Sequence, residues 1–144
     1  MQNEPPVQVT SQPPAQVGKS STGLDENVAA LLSYILNWIS GLVFFLIEKD
    51  SRLVRFHAMQ SILLTAAAVV VGIVLWVAWI VLAIILAMMS DVLASLVSIL
   101  IGLVIFVFYI AVLLAFILCM VKAYQKQYFK LPVIGNFAEK FSTK

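Results

Sequence analysis

The residues most able to do chemistry stand together in one short stretch. Glu48-Lys-Asp50-Ser-Arg52-Leu-Val-Arg55-Phe56-His57-Ala-Met-Gln60 holds both charge signs and the single histidine of the sequence. Glu48 can pair with Arg52 or Arg55, and His57 can sense pH or relay a proton. A relay needs further ionisable groups within the apolar segments, and between His57 and Lys122 the only formal charge is Asp91. The plainer expectation is that the arginines meet lipid phosphate, Glu48 neutralises one of them, and His57 lies in the membrane interface.

A second polar segment closes the chain. Lys122, Lys126 and Lys130 recur every four residues, with Tyr124, Tyr128 and Phe129 between them. Each lysine near an anionic leaflet contributes about 1 kcal/mol. Pro132 ends a helix and Gly135 permits a turn. Asn136 and Glu139 then cap a short helix that lays Phe137 and Phe141 into the interface. Both segments are expected to bind membrane lipids, anionic headgroups included, and a protein partner or a second copy of the chain.

Catalytic constellations are missing. Asp91 has no acidic partner within the spans, and His57 is at the wrong level for Ser33, Ser40 or Ser95. One histidine and one cysteine cannot supply the usual zinc ligands. No phosphate-cradling glycine loop occurs, so no cofactor is expected and the protein is read as non-enzymatic. Cys119 stands alone, which excludes an intramolecular disulfide. A net charge of +2 gives no ground for nucleic-acid binding.

The elements that position these segments follow from composition. The chain is 62% hydrophobic and 11% charged, against roughly 25% charged in soluble domains. A soluble fold of this size could not bury so much apolar surface, but a bilayer accepts it. The fold class is therefore all-α: an integral membrane bundle of three transmembrane helices. Residues 1–21, rich in Pro and Gln, read as a disordered tail, and 22–144 as one transmembrane domain. Thr22 and Asp25 have capping-box spacing. Spans are predicted at about 28–47, 60–82 and 99–121, with an interfacial turn over 83–98 and a C-tail over 122–144. Trp76 and Trp79 mark the far headgroup layer.

Small and polar residues fall at helical spacing in each span: Ser33, Asn37 and Gly41; Ser61, Thr65, Ala68 and Gly72; and Ser95, Ser98 and Gly102 behind Asp91. Such faces let helices approach closely in lipid. A sharper reading lines a pore with them, which makes a small oligomeric channel or transporter the alternative function. With three spans, one Lys or Arg falls on the N-terminal side and eight on the other. The positive-inside rule then puts the N-terminus outside and the C-terminus in the cytoplasm, in the plasma (inner) membrane.

Two segments resemble a family of small bacterial and archaeal multi-pass membrane proteins of unknown function. That family is distantly related to the twenty-kilodalton Tic component of the chloroplast inner-envelope import machinery. The resemblance rests on Ala-Leu-Leu-Ser33-Tyr34, Trp38, Gly41, Phe45, Glu48 and Val-Arg55-Phe56-His57-Ala-Met-Gln60-Ser61. It continues in Ala123-Tyr124 and Phe129-Lys-Leu-Pro132-Val-Ile-Gly135-Asn-Phe-Ala-Glu139. The family pattern has a glycine where Asn37 stands and a glycine-bearing turn where Gln125-Lys126 stands. The resemblance implies a multi-pass membrane protein and, by remote analogy, a scaffold or translocon-like subunit.

Overall fold

Apolar runs of this length can satisfy their backbone in lipid only as helix, and the helices are long. A computed structural model describes residues 18–142, and all its regular elements are helical. They are α1 (Glu26–Leu32), α2 (Trp38–Ile47), α3 (Arg52–Ala87), α4 (Asp91–Tyr124) and α5 (Ile134–Ser142). Two are long and apolar enough to cross a membrane, α3 and α4. Ser51 caps α3 by accepting from the Val54 amide, and Ser90 caps α4 by accepting from Leu93. The interfacial turn expected over 83–98 contracts to Met88–Ser90, where Ser90 is extended and breaks the helix. Nothing else in that segment opposes helix formation.

The continuous helix expected over 28–47 does not form. The chain leaves α1 at Ser33, turns through residues 33–37, and resumes as α2. Asn37 has φ 53° and ψ −127°, a backbone conformation that glycine adopts readily and other residues rarely. The two open ends of this hairpin lie together. Ser20, just ahead of α1, donates to Glu48 at the end of α2 at 2.5 Å, and Ser51 donates to Glu26 at 3.2 Å. A straight twenty-residue helix would hold its ends about 30 Å apart.

The depth of the hairpin is read from α3. The Asn37 carbonyl accepts from Ser61 at 2.9 Å, and Ser61 stands ten residues beyond Ser51, about 15 Å along the axis. The hairpin apex therefore meets α3 about three turns from its start. Gly41 makes the α2–α3 approach possible: a Cβ there would stand 2.9 Å from the Ala58 carbonyl oxygen. α1 packs between the first turns of α3 and the last turns of α4, in a core of Ala29, Ala30, Tyr34, Leu53, Val54, Cys119 and Ala123.

The capping box also shifts. Asp25, not Thr22, occupies the N-cap position of α1, and the Thr22 hydroxyl meets Ser20 instead. Most of the expected tail lies outside the described residues, but residues 18–21 are described and hold Glu48. Lys126 pairs with Glu26 at 3.4 Å. The start of α1, the α2–α3 loop and the C-tail thus share one end of the molecule.

α5 lies along α3 through small residues. Gly135, Ala138 and Ser142 are buried, whereas Phe137 and Phe141 are about half exposed. A Cβ on Gly135 would stand 2.6 Å from the Lys130 Cα, so only glycine allows the return after Pro132.

Candidate functional site

Glu48 is fully buried, and hydroxyl and amide donors surround its carboxylate. Its carboxylate accepts from the Ser20 hydroxyl, from the Ser21 amide and hydroxyl, and from the Asp50 and Ser51 amides, at 2.5–3.1 Å. Burial pushes its pKa up, but the donors from Ser20, Ser51 and Ser21 outweigh it and hold the group down at about 2. The Ser21 hydroxyl also donates to Asp50 and accepts from the Lys49 and Asp50 amides. The carboxylate is a latch that fastens the N-terminal turn to the α2–α3 loop. Arg55 stacks over the Phe45 ring at 5.2 Å.

His57 is buried within the protein. Its Nε2 lies 3.0 Å from the Gln127 carbonyl oxygen and its Nδ1 3.1 Å from the Tyr34 hydroxyl. A carbonyl oxygen only accepts, so Nε2 carries the proton and Nδ1 accepts from Tyr34. One ring thereby ties the hairpin, α3 and the C-tail. One turn deeper, Gln60 Nε2 donates to Cys119 Sγ at 3.2 Å, and its Oε1 is buried with no partner. Tyr34 closes the cluster edge-on to Phe116, with ring centroids 6.1 Å apart.

The two polar segments of the sequence meet around a cavity of about 250 Å³. Arg52 and Phe56 line it from α3, Tyr128 from the C-tail, and Glu139 and Ser142 from α5. The Phe56 and Tyr128 rings pack at a 60° tilt, with centroids 5.4 Å apart. Glu139 is paired with Lys130 at 2.8 Å, while Arg52 belongs to neither that pair nor Lys126–Glu26. A second, wider groove of about 410 Å³ runs between the hairpin apex and α4, lined by Tyr34, Asn37, Tyr109 and Phe116 among others.

The expected packing residues divide. Gly41 and Gly72 permit close approach, Gly72 beneath the Tyr109 hydroxyl. Ser33 and Ser95 donate back to carbonyls of their own helical turns, as does Thr65 to Ser61. Ala68 lines a small apolar cavity with Ile134, Ser98 is half-buried, and Gly102 faces open space. Asn37 takes the turn between α1 and α2, and its carbonyl accepts from Ser61 of α3. Pro132 and Gly135 shape the turn into α5.

Sequence reasoning missed Ser20, Ser21, Ser51 and Gln127. The three consecutive hydroxyl residues at 20–22 were a usable signal, since such a run supplies donors for one buried carboxylate. Among the described residues no group of three His, Cys, Asp or Glu side chains could hold a metal ion.

A family of magnetosome magnetite crystal formation proteins matches residues 24–138. A UPF0132 membrane protein of Methanocaldococcus jannaschii is 40% identical, over 88% of this chain and 96% of its own length. A second from the same organism is 32% identical, over 83% and 71%. A UPF0132 membrane protein of Archaeoglobus fulgidus is 38% identical, over 81% and 94%. No solved structure matches. The family match takes in the Glu48–Gln60 segment, most of the C-terminal one, and Arg52, Phe56 and Tyr128 of the cavity, and on these similarities the chain belongs to the UPF0132 family of small membrane proteins.

Proposed function

We propose that the chain is a non-enzymatic membrane scaffold that crosses the bilayer twice and holds one rigid polar end on the cytoplasmic face. The observation that carries this reading is the joining of three separate segments at one end, by Glu48 to Ser20, His57 to Gln127, and Glu26 to Lys126. α3 and α4 cross; the α1–α2 hairpin enters and returns. Lys19, Lys49, Arg52, Arg55, Lys122, Lys126, Lys130 and Lys140 then all fall on one side, and the far turn at Met88–Asp91 carries no basic residue. The positive-inside rule puts that end in the cytoplasm, in the plasma membrane.

Such an end presents a preorganised surface to protein and lipid partners. The sequence resemblance to a family akin to the Tic component suggests a translocon-side role by analogy alone. The magnetite crystal formation named for the matching family enters this reading only as a process at a membrane surface. Affinity purification in mild detergent is expected to bring down a stoichiometric partner that is lost in a Lys126→Glu, Lys130→Glu variant. Recovery of the chain alone under all mild conditions would remove the scaffold reading.

A small oligomeric channel is the second reading, and Asn37 favours it. Its side chain is exposed at the hairpin apex, on the 410 Å³ groove beside α4, where a polar group in hydrocarbon needs a partner. Ion flux in liposomes that disappears in Asn37→Leu would support the channel, and its absence in both proteins would count against it.

A further inference from the structure

Arg52 stands at the first residue of α3, on the exposed side of the polar end. It lines the 250 Å³ cavity with Phe56, Tyr128, Glu139 and Ser142. Of the charges around that cavity, Glu139 is matched by Lys130 at 2.8 Å, so Arg52 leaves the site with one net positive charge. Tyr128 lines the same cavity as Arg52; burial pushes the Tyr128 pKa up, the Arg52 charge opposes that rise and Glu26 adds to it. The opening amides of α3 add their partial positive charge at the same place.

The walls set the kind of ligand. Phe56 is buried and its ring packs at a 60° tilt against Tyr128, so the cavity has an apolar side as well as a cationic one. A planar guanidinium matches two oxygens of a phosphate. A compact mobile anion would use the cationic side and leave the aromatic side empty. A phosphate esterified to glycerol, at the level where the chain enters the membrane, uses both.

We propose that this cavity seats the phosphate of a phospholipid headgroup, held by Arg52 and the Tyr128 hydroxyl, with its glycerol against Phe56. The site rests on the polar end lying at the membrane surface, and it deepens the scaffold reading by naming the lipid that fastens α5 to α3. Whether the chain has protein partners does not affect it. Glu139 is the counterweight: it excludes a second anion and limits the site to one headgroup.

The test uses purified full-length protein in mild detergent, with native mass spectrometry and thermal stability as readouts. The probes are phosphatidylglycerol, diacylglycerol and inorganic phosphate. Phosphatidylglycerol is expected to bind one per chain and to raise the melting temperature, and diacylglycerol to do neither. Arg52→Gln is expected to weaken lipid binding at least tenfold, and Tyr128→Phe by a smaller factor. Lys49→Gln, at the same end but outside the cavity, is expected to leave binding unchanged. Arg52→Lys controls for folding: it keeps the charge, loses the two-oxygen fit, and should retain intermediate affinity. Equal loss in Lys49→Gln and Arg52→Gln would overturn the proposal in favour of diffuse surface charge. Saturation by inorganic phosphate with no binding of phosphatidylglycerol would overturn it in favour of a soluble anion.

Discussion

Glu48 is the residue on which the polar end depends. A carboxylate held at about pKa 2, below its ordinary 4.5, stabilises the fold wherever it is ionised in the unfolded chain as well. That contribution, about 3 kcal/mol, is complete above pH 4.5 and fades as pH falls towards 2. Hydrogen exchange at residues 18–25 should therefore accelerate within that acid window and be flat from pH 5 to 8. Glu48→Gln should release the same segment at neutral pH. An amide presents its own N–H groups to a ring of donors and leaves some unsatisfied, at about 1–3 kcal/mol each. Unchanged exchange in the variant would show that the latch holds nothing.

Asn37 is the second residue that matters. Its φ of 53° with ψ −127° is strained for any side chain, and Lys126 at φ 58° repeats the situation at the other turn. Asn37→Gly is expected to stabilise the protein by about 1 kcal/mol, and Asn37→Val to destabilise it by more than that, both measured as shifts in detergent melting. Both positions were visible in the sequence as departures from a family pattern with glycines. The chemical meaning of those glycines, a reversal of the chain, was not. Hydropathy sees only that Val28–Ile47 is apolar, and an apolar hairpin scores like an apolar helix.

Among the elements, the two long helices were legible because nothing but helix satisfies so many backbone groups in lipid. Their extent was not. Ser90-Asp91 was readable as a break, but the broad interfacial turn inferred from the tryptophans has no counterpart in the backbone. α3 has 36 residues and α4 has 34, about 54 and 51 Å long, against a hydrocarbon core of roughly 30 Å. The excess must be taken up by tilt or by thickening of the bilayer. Infrared dichroism in oriented bilayers should show the mean helix tilt falling as acyl chains lengthen from fourteen to twenty-two carbons. A tilt independent of thickness would mean that the distal turns leave the membrane.

The α2–α3 contact has its own test. Gly41→Leu would drive a side chain into the Ala58 carbonyl and Ser61, and backbone cannot yield as a flexible side chain can. Melting should fall by several degrees more than for Gly102→Leu, which meets nothing within 4 Å. Equal effects would place α2 elsewhere. The candidate site was half-legible in the same way. Arg52, Phe56, Gln60 and Glu139 stood out by type and position, while Ser20, Ser21 and Gln127 did not. They act through where the hairpin brings them, and two of those three contacts cross a turn that hydropathy hid.

At the scale of the whole molecule, one correction reorganises the rest. With the first apolar stretch folded back on itself, the described basic residues lie in segments joined at one end, and the proposed two-crossing topology puts them on a single side. The two polar segments become one surface, with a latch, a histidine tie and a headgroup-sized cavity within it. The charge pattern itself was in the sequence; only its geometry changed.

The central claim is that the chain crosses the membrane twice with both described ends on the cytoplasmic side. It is tested most directly by single-cysteine accessibility in a Cys119→Ala background, with reporters at positions 19, 50, 90 and 140. Labelling of 19, 50 and 140 from the cytoplasm and of 90 from the opposite side is the predicted result. Labelling of position 19 from the side opposite to 140 would contradict it, and with it the hairpin and the shared polar end.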